Sequence, residues 1–202
     1  MIITEHDNPS PHIIVDDFLD NETLKSIKLE ISEIRDKTTQ GDILVGNEKV
    51  IDTSKKKNNN IWLDNLYSDD RNRSNILKYL PFNIWTNLKP FLMNSKSAIF
   101  RVYNKTNQDN TLLSIYKNND FYGEHHDRSE NNELLFLTTN LMLKMKGDFK
   151  GGEFVLQDKT IPFKDNRLVI FESHRIHSVN KVITDDNPDN WRYTLQYFAK
   201  IK

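Results

Sequence analysis

The histidines of this chain are clustered. Only six occur among its 202 residues, and four of them form two close pairs, His125 with His126 and His174 with His177. Asp127 follows the first pair directly. Because neutral imidazole nitrogens and carboxylate oxygens are ligands for transition metals, this clustering indicates a candidate metal site.

Residue spacing favours one pair of side chains as ligands. In an extended strand, residues two apart project on the same face, so His125 and Asp127 point together. Glu124 and His126 form a competing pair on the other face, but the apolar Phe121 shares the face of His125 and indicates that this face is the interior. A distant histidine from the second pair would complete a two-histidine, one-carboxylate set. Such a set suits non-haem Fe(II), and zinc can also bind it.

Short strands are predicted to position these residues. Turn-forming residues separate a series of apolar or alternating runs, a pattern typical of an antiparallel sandwich or jelly roll. The runs lie at residues 98–103, 111–116, 133–145, 153–157, 160–163, 167–172, 177–183 and 192–200.

The first third of the chain is predicted to be largely helical, after one short strand at residues 12–15. Apolar residues at 24, 27, 31 and 34 follow a candidate N-cap at Asp20 or Asn21 and form one helical stripe. A second helical region, residues 74–93, is expected to bend or break at Pro81 and Pro90. These helices are expected to cover one sheet.

A run of lysines and asparagines, residues 54–60, is the one low-complexity stretch. No aromatic residue is interleaved with its charges, so we expect a solvated surface loop rather than a phosphate-binding segment. The segments expected to contact a substrate, about 36–70 and 104–110, are polar and carry no recognisable motif.

Composition excludes several classes of protein. The chain has no cysteine, which excludes a disulfide framework, thiolate metal sites and a cysteine nucleophile. The net charge of −1 argues against a nucleic-acid partner. No apolar run reaches the roughly 20 residues of a membrane helix and no signal-peptide pattern is present, so we expect a cytoplasmic protein without a membrane partner.

Four further segments follow the stretch from Tyr116 to Asp127 along the chain. They are Leu137 to Lys144, Gly151-Gly152-Glu153-Phe154, Arg167 to Ser173 leading to His177, and Arg192 to Leu195. In this order the five segments resemble the prolyl 4-hydroxylase-like Fe(II)- and 2-oxoglutarate-dependent oxygenases, and the stretch from Tyr116 to Asp127 is similar to the metal-binding motif of that family. The resemblance covers about residues 97–200 in detail, and residues 14–19 are similar to the amino-terminal opening of the family.

The resemblance implies a mainly β fold with supporting α-helices. Its core is a double-stranded β-helix (jelly roll), with the amino-terminal helices packed on one sheet. We expect a single domain over residues 1–202, with helical support at about 1–96 and the catalytic core at about 97–202.

The resemblance also implies the roles of individual residues. The three iron ligands match His125, Asp127 and His177, and no side chain beyond these ligands is expected to be catalytic. The residues expected to bind 2-oxoglutarate are Arg192, Tyr116 and Thr194. A guanidinium such as that of Arg192 suits the distal carboxylate because it can bind it through two hydrogen bonds. We expect His126 and His174 to be bystanders.

Two features depart from the family. Met142 stands where many relatives have a tyrosine that binds the co-substrate, and a thioether is a poor hydrogen-bonding partner for a carboxylate. His177 and Arg192 are 15 positions apart, more than is usual in the family. The extra residues fall in the turn-rich stretch 184–190, which can lengthen without disturbing the flanking strands.

The implied activity is hydroxylation of a C–H bond by a 2-oxoglutarate-dependent dioxygenase, most plausibly at a prolyl or other residue of a peptide or protein. Its cofactors are Fe(II) and the co-substrate 2-oxoglutarate, with ascorbate as an optional addition, and O2 is the oxidant. A free amino acid or small metabolite is the alternative substrate, and nucleic-acid demethylation is disfavoured by the charge. A non-catalytic jelly-roll binding module is the alternative from another class, although such a module need not keep all four of His125, Asp127, His177 and Arg192.

Overall fold

The computed structural model describes residues 1–45, 48–128 and 133–201, without the side chains of residues 108 and 109. Strands dominate. They are β1 (Ile2–His6), β2 (His12–Asp16), β3 (Thr39–Gln40), β4 (Ile43–Val45), β5 (Glu48–Val50), β6 (Lys56–Lys57), β7 (Asn59–Trp62), β8 (Thr106–Tyr116), β9 (Phe121–His125), β10 (Leu135–Lys144), β11 (Lys150–Gly151), β12 (Phe154–Leu156), β13 (Lys159–Ile161), β14 (Arg167–Glu172), β15 (His177–Val179), β16 (Val182–Ile183) and β17 (Arg192–Ile201).

The helices are short apart from the first. They are α1 (Asn21–Ile34), α2 (Leu63–Leu66), α3 (Asn75–Phe82), α4 (Lys89–Met93) and α5 (Ala98–Arg101), with a π-helical segment at Asn83–Asn87 between α3 and α4. Single 3₁₀ turns lie at Arg35–Lys37, Arg71–Arg73, Val102–Lys105 and Pro188–Asn190. None of the described helices is long and apolar enough to cross a membrane.

Two antiparallel sheets form the core. The large sheet has the strand order β1-β2-β14-β10-β17-β8-β7-β3, and the small sheet has the order β13-β12-β15-β9-β6. Strands that are distant in sequence lie side by side in both sheets, as in a jelly roll. The predicted mainly β fold with a jelly-roll core is confirmed.

One face of the large sheet packs on the helices. Asp20 caps α1, since its Oδ1 accepts hydrogen bonds from the backbone N–H groups of Glu22 and Thr23 at 3.0 and 2.9 Å. The stripe Ile27, Ile31 and Ile34 is then buried against alternate residues of β10 and β17. This arrangement confirms the prediction that the amino-terminal helices cover one sheet.

The other face of the large sheet meets the small sheet in a separate cluster of buried side chains. The members of this interior cluster are Tyr116, Met142, Phe154, Leu156, Ile161, Val169, Phe171, Val179 and Val182. Alternate residues of β8, β10, β14 and β17 therefore face the interior between the sheets, while their neighbours face the helices.

The strand predicted at residues 98–103 is wrong, because this segment is α5 followed by a 3₁₀ turn. Phe100 and Tyr103 are buried, whereas Val102 is 42% exposed. Buried positions three residues apart are typical of a helix. The prediction failed because a short, continuous apolar run fits a strand and a helix equally well.

The solvated loop predicted at residues 54–60 is also wrong in large part. Strand β6 pairs with β9 of the small sheet, and β7 pairs with β8 of the large sheet. Lys56, Asn58 and Asn60 are buried. Alternating polar residues usually indicate the solvent-exposed face of a strand, but here the polar side chains of Lys56, Asn58 and Asn60 point into the protein.

Candidate active site

Strands β9 and β15 of the small sheet bring two histidines together. His125 is the last residue of β9 and lies opposite His177, the first residue of β15. After β9 the chain turns, and the N–H of Asp127 donates a hydrogen bond of 2.9 Å to the carbonyl of Ser173. Residues from two distant parts of the sequence therefore meet at one end of the small sheet.

His125, Asp127 and His177 form a compact cluster with ligand atoms within 4.8 Å of one another. The two carboxylate oxygens of Asp127 lie 3.6 Å from His125 Nε2 and 3.5 Å from His177 Nε2. The cluster is the one such group of metal-binding side chains among the described residues. Its composition suits Fe(II) and leaves room for further ligands.

Backbone carbonyls orient both imidazoles. His125 Nδ1 lies 2.9 Å from the carbonyl oxygen of Gly123, and His177 Nδ1 lies 2.9 Å from that of Arg175. With Nδ1 as the donor in each bond, the lone pair of Nε2 faces the centre of the cluster. Such hydrogen bonds fix the tautomer and orientation of metal-binding histidines.

The ionisation of the cluster suits a metal. Burial opposes the charged form of Asp127, but His177, His125 and the Thr138 hydroxyl outweigh this effect and lower its pKa to about 2. Burial lowers the pKa of His177 to about 4, and repulsion from His125 adds to this, while Asp127 acts in the opposite direction. Near neutral pH the aspartate is therefore charged and His177 is neutral, as metal ligands must be.

The competing histidines lie outside the cluster. His126 is exposed and its ring contacts the carbonyl of Arg128. His174 is also exposed, and its Nδ1 lies 3.9 Å from a carboxylate oxygen of Glu172. The structure thus brings together the predicted set and leaves the two predicted bystanders apart.

Arg192, the first residue of β17, is fully buried. Its Nε donates a hydrogen bond of 2.8 Å to the Gly152 carbonyl, and Nη1 donates to the hydroxyl of Thr194. Gly152 has φ +69°, and a Cβ there would lie 2.8 Å from Cδ of Arg192, so this position favours glycine on two grounds. The long stretch 184–190 is accommodated outside the strands, because Arg192 still pairs with Tyr116 across the sheet.

The guanidinium of Arg192 has no carboxylate partner in the part of the chain that the structure describes. Burial lowers its pKa to about 10, whereas Tyr116 and Glu153 raise it. Its carbon Cζ lies 4.9 Å from the ring centre of Tyr116, and its Nη2 makes no hydrogen bond. A buried charge in this state requires an anion, so the site fits a dicarboxylate co-substrate.

Other buried polar atoms in the same interior lack partners within the described ranges. They are the hydroxyl of Tyr116, both amide atoms of Asn58 and Oδ1 of Asn140. Buried polar atoms are normally satisfied, so this group indicates a place for a polar ligand. Met142 lies beside it as a fully buried apolar residue, paired with Thr194 across the sheet.

Sequence reasoning missed Lys56 and Asn58, both of which lie in the misassigned segment 54–60. Lys56 Nζ is 4.5 Å from the ring centre of Tyr122, which stacks on the ring of His125, and it donates a hydrogen bond of 3.0 Å to the Asp42 carbonyl. Burial lowers the pKa of Lys56 to about 8, while Asp42 and Asp127 act in the opposite direction. The only sequence signal was the alternation of polar residues, which does not show which face is inside.

The chain matches one family by sequence. The model of the 2OG-Fe(II) oxygenase superfamily matches residues 111–200, a segment that contains the whole histidine–aspartate cluster and Arg192. No curated protein matches the chain by sequence.

Solved structures share the fold. A prolyl-4-hydroxylase from Pseudomonas putida has 14% identity and a TM-score of 0.60, with 95% of this chain and 92% of that chain covered. A prolyl hydroxylase from Trichoplax adhaerens, solved with a peptide fragment of hypoxia inducible factor, has 15% identity, a TM-score of 0.68 and coverage of 94% and 83%. The viral collagen prolyl hydroxylase of Paramecium Bursaria Chlorella virus-1 has 15% identity, a TM-score of 0.61 and coverage of 95% and 96%.

At these identities the structural likenesses show the fold, and the sequence match over residues 111–200 indicates the class that this segment resembles. Members of this class are oxidoreductases that use Fe(II), 2-oxoglutarate and O2. The described residues fit both cofactors, since a two-histidine, one-carboxylate cluster and a buried guanidinium without a carboxylate partner among them border one interior. Residues 111–200 are similar to the 2OG-Fe(II) oxygenase superfamily, and they include the side chains that its cofactors require.

Proposed function

We propose that this protein hydroxylates a residue within a peptide or protein, with a prolyl residue as the first candidate. In this proposal His125, Asp127 and His177 hold Fe(II), and the residues that hold 2-oxoglutarate are Arg192, Tyr116 and Thr194. The observation that carries it is the convergence of two imidazole Nε2 atoms and one carboxylate at the end of an interior that also contains a fully buried guanidinium, which has no carboxylate partner among the described residues.

The reaction balances as follows: the substrate C–H, O2 and 2-oxoglutarate give the alcohol, succinate and CO2. Fe(II), when bound, supplies the oxidising chemistry, and the residues of the chain position the reactants. Arg192 offers Nη2 to the distal carboxylate of 2-oxoglutarate, in a site where that charge pair is shielded from water. Thr138 donates a hydrogen bond of 2.7 Å to Asp127 Oδ2 and orients the carboxylate toward the two histidines.

A peptide substrate is supported by the surface beside the site. Strands β4 and β5 form a hairpin that pairs with neither of the two sheets in the described structure. Its residues Leu44, Val45 and Val50 are 53%, 54% and 38% exposed. The hairpin follows Asp42, whose carbonyl contacts Lys56. Exposed apolar side chains suit an extended chain better than a small polar metabolite.

The test is a succinate assay with Fe(II), 2-oxoglutarate and either a panel of proline-containing peptides or free amino acids. The expected result is peptide-stimulated succinate formation together with a mass increase of one oxygen atom in the peptide. The His177→Ala variant is the inactive control. Stimulation by free amino acids alone would contradict the peptide assignment, and the absence of 2-oxoglutarate turnover under every condition would contradict the activity.

A further inference from the structure

Asn58 occupies an unusual position between the two sheets. It joins β6, which pairs with the small sheet, to β7, which pairs with the large sheet. Its side chain is fully buried, yet neither its Nδ2 nor its Oδ1 has a hydrogen-bond partner among the described residues. Leaving a buried amide unpaired is destabilising, so a stable fold that retains one calls for a ligand.

The surroundings of Asn58 show where its amide points. Gly41 lies opposite, with its N–H bonded to the Asn58 carbonyl at 2.8 Å, and a Cβ on Gly41 would lie 2.3 Å from Asn58 Oδ1. In the antiparallel register of β7 with β8, Asn59 lies opposite Ile115, which places Asn58 next to Tyr116 on the inner side. The amide there moderates the rise in pKa that burial imposes on the Tyr116 phenol. Neither group makes a hydrogen bond of standard geometry in the described structure.

An unpaired polar surface therefore extends from Asn58 through Tyr116 to Arg192. The Tyr116 ring lies under the guanidinium at 4.9 Å, and Nη2 of that guanidinium is also unpaired. Met142, fully buried in the same interior cluster, contributes no useful hydrogen bond to this surface. A carboxylate placed here would meet an amide donor, a hydroxyl donor and a cation.

We propose that Asn58 is a binding residue for 2-oxoglutarate, donating a hydrogen bond from Nδ2 to a carboxylate oxygen of the co-substrate. This inference rests on the proposed function. In this proposal Asn58 donates to 2-oxoglutarate the neutral hydrogen bond that the apolar Met142 cannot donate. Asn58 reaches the site from the crossover between the sheets rather than from the strands that carry the other site residues.

The test is a calorimetric titration of 2-oxoglutarate into the protein loaded with Mn(II), which occupies the metal site without turnover. Asn58→Leu keeps the volume but removes the donor, and we expect affinity to fall about tenfold, the value of one hydrogen bond to a charged group. Asn59→Leu is the matched control. Asn59 is the adjacent residue, but it pairs with Ile115 and so lies on the face of the large sheet that packs on the helices, and its replacement should leave 2-oxoglutarate affinity unchanged.

A second measurement separates binding from a structural role. Because the amide is unpaired without ligand, the ligand-free Asn58→Leu protein should unfold at the same temperature as the wild type or higher. Asn58→Ala provides the affinity measurement if the leucine does not fit. Equal losses of thermal stability and affinity in both variants would overturn the inference in favour of a structural role.

The remaining outcomes are also decisive. Unchanged 2-oxoglutarate affinity in Asn58→Leu, alongside weaker binding by Arg192→Ala, would overturn the role of Asn58 and leave the proposed function intact. If the wild type binds no 2-oxoglutarate, the proposed function fails first. If only peptide affinity changes in Asn58→Leu, Asn58 binds the substrate, and the inference is wrong.

Discussion

A buried guanidinium without a carboxylate partner dominates the site at the scale of single residues. Among the described residues Arg192 has two acceptors, the Gly152 carbonyl and the Thr194 hydroxyl, and neither carries a formal charge. Solvation of the cation is therefore incomplete until an anion binds. This makes Arg192 the residue on which co-substrate affinity should depend most strongly.

Replacing Arg192 with alanine should weaken 2-oxoglutarate binding at least about a hundredfold, since breaking a buried charge pair costs on the order of 3–5 kcal/mol. The affinity of Arg192→Lys should lie between those of the wild type and Arg192→Ala, because lysine keeps the charge but cannot donate two parallel hydrogen bonds to a carboxylate. Calorimetric titration of 2-oxoglutarate into the Mn(II)-loaded variants measures the effect.

Arg175→Ala is the control for this experiment. Its guanidinium already pairs with Glu172, with Nε 2.8 Å from Oε2. If 2-oxoglutarate affinity fell in Arg175→Ala and not in Arg192→Ala, Arg175 would be the residue that binds the co-substrate, and the account would be contradicted.

Only part of the candidate site could be predicted from local spacing. A His-x-Asp spacing predicts one shared face without knowledge of the fold, and the resemblance supplied the distant His177 and Arg192. Asn58 was not predictable. Its role depends on which face of a short polar strand points inward, and that is decided by pairing with β8 and β9, far along the chain.

At the scale of elements, residues 39–45 and 48–62 form the least regular part of the site. They contribute strands to both sheets, and they position Lys56 and Asn58 against β8 and β9. Gly41 permits this approach, because any side chain there would occupy the space of Asn58 and Lys56.

Gly41→Ala should therefore displace the buried polar side chains of this segment. The added Cβ would lie 2.3 Å from Asn58 Oδ1 and 2.9 Å from Lys56 Cε. We expect the free energy of unfolding to fall by about 1–3 kcal/mol, as in other overpacked sites, and 2-oxoglutarate affinity to fall with it. Denaturant unfolding and calorimetry measure the two effects. Val45→Ala, at an exposed position of the adjacent hairpin, should change neither the free energy of unfolding nor the 2-oxoglutarate affinity. If Gly41→Ala had the stability and affinity of the wild type, Asn58 would not be held in place by this contact.

Long periodic elements were predicted better than short ones. The apolar stripe of α1 extends over four turns, and each turn repeats the apolar position that indicates the buried face. Strands of two or three residues, such as β3 and β6, carry no usable period. The run at residues 98–103 satisfied a strand pattern, but it forms α5 and the start of a 3₁₀ turn, with Phe100 and Tyr103 buried in the apolar cluster that contains the helices.

At the scale of the whole molecule, two cores share the large sheet. One face binds the helices through a continuous apolar cluster, and the other encloses the site. The helices therefore stabilise the sheet, while the interior on its other side contains the buried His177 and Arg192. Unfolding exposes these groups to water, which couples stability to pH.

The metal-free protein should lose stability as the pH falls from about 6.5 toward 4. In this range the unfolded chain binds a proton at residue 177 that the folded chain, with a His177 pKa of about 4, does not. The shift corresponds to roughly 3 kcal/mol. Below about pH 3.8 Asp127, with its lowered pKa, acts in the same direction. Denaturant unfolding across this range should show a flatter pH profile for His177→Gln than for the wild type; identical slopes would contradict burial of a neutral His177.

The most direct test of the account is a titration of Fe(II) under exclusion of oxygen into the wild type and two matched histidine variants. His177 faces Asp127 across 3.5 Å, whereas His174, three residues earlier, is exposed. We expect one equivalent of Fe(II) to bind to the wild type and to His174→Ala, and saturable binding to be lost in His177→Ala. Retention of tight binding by His177→Ala, or its loss in His174→Ala, would contradict the proposed metal site.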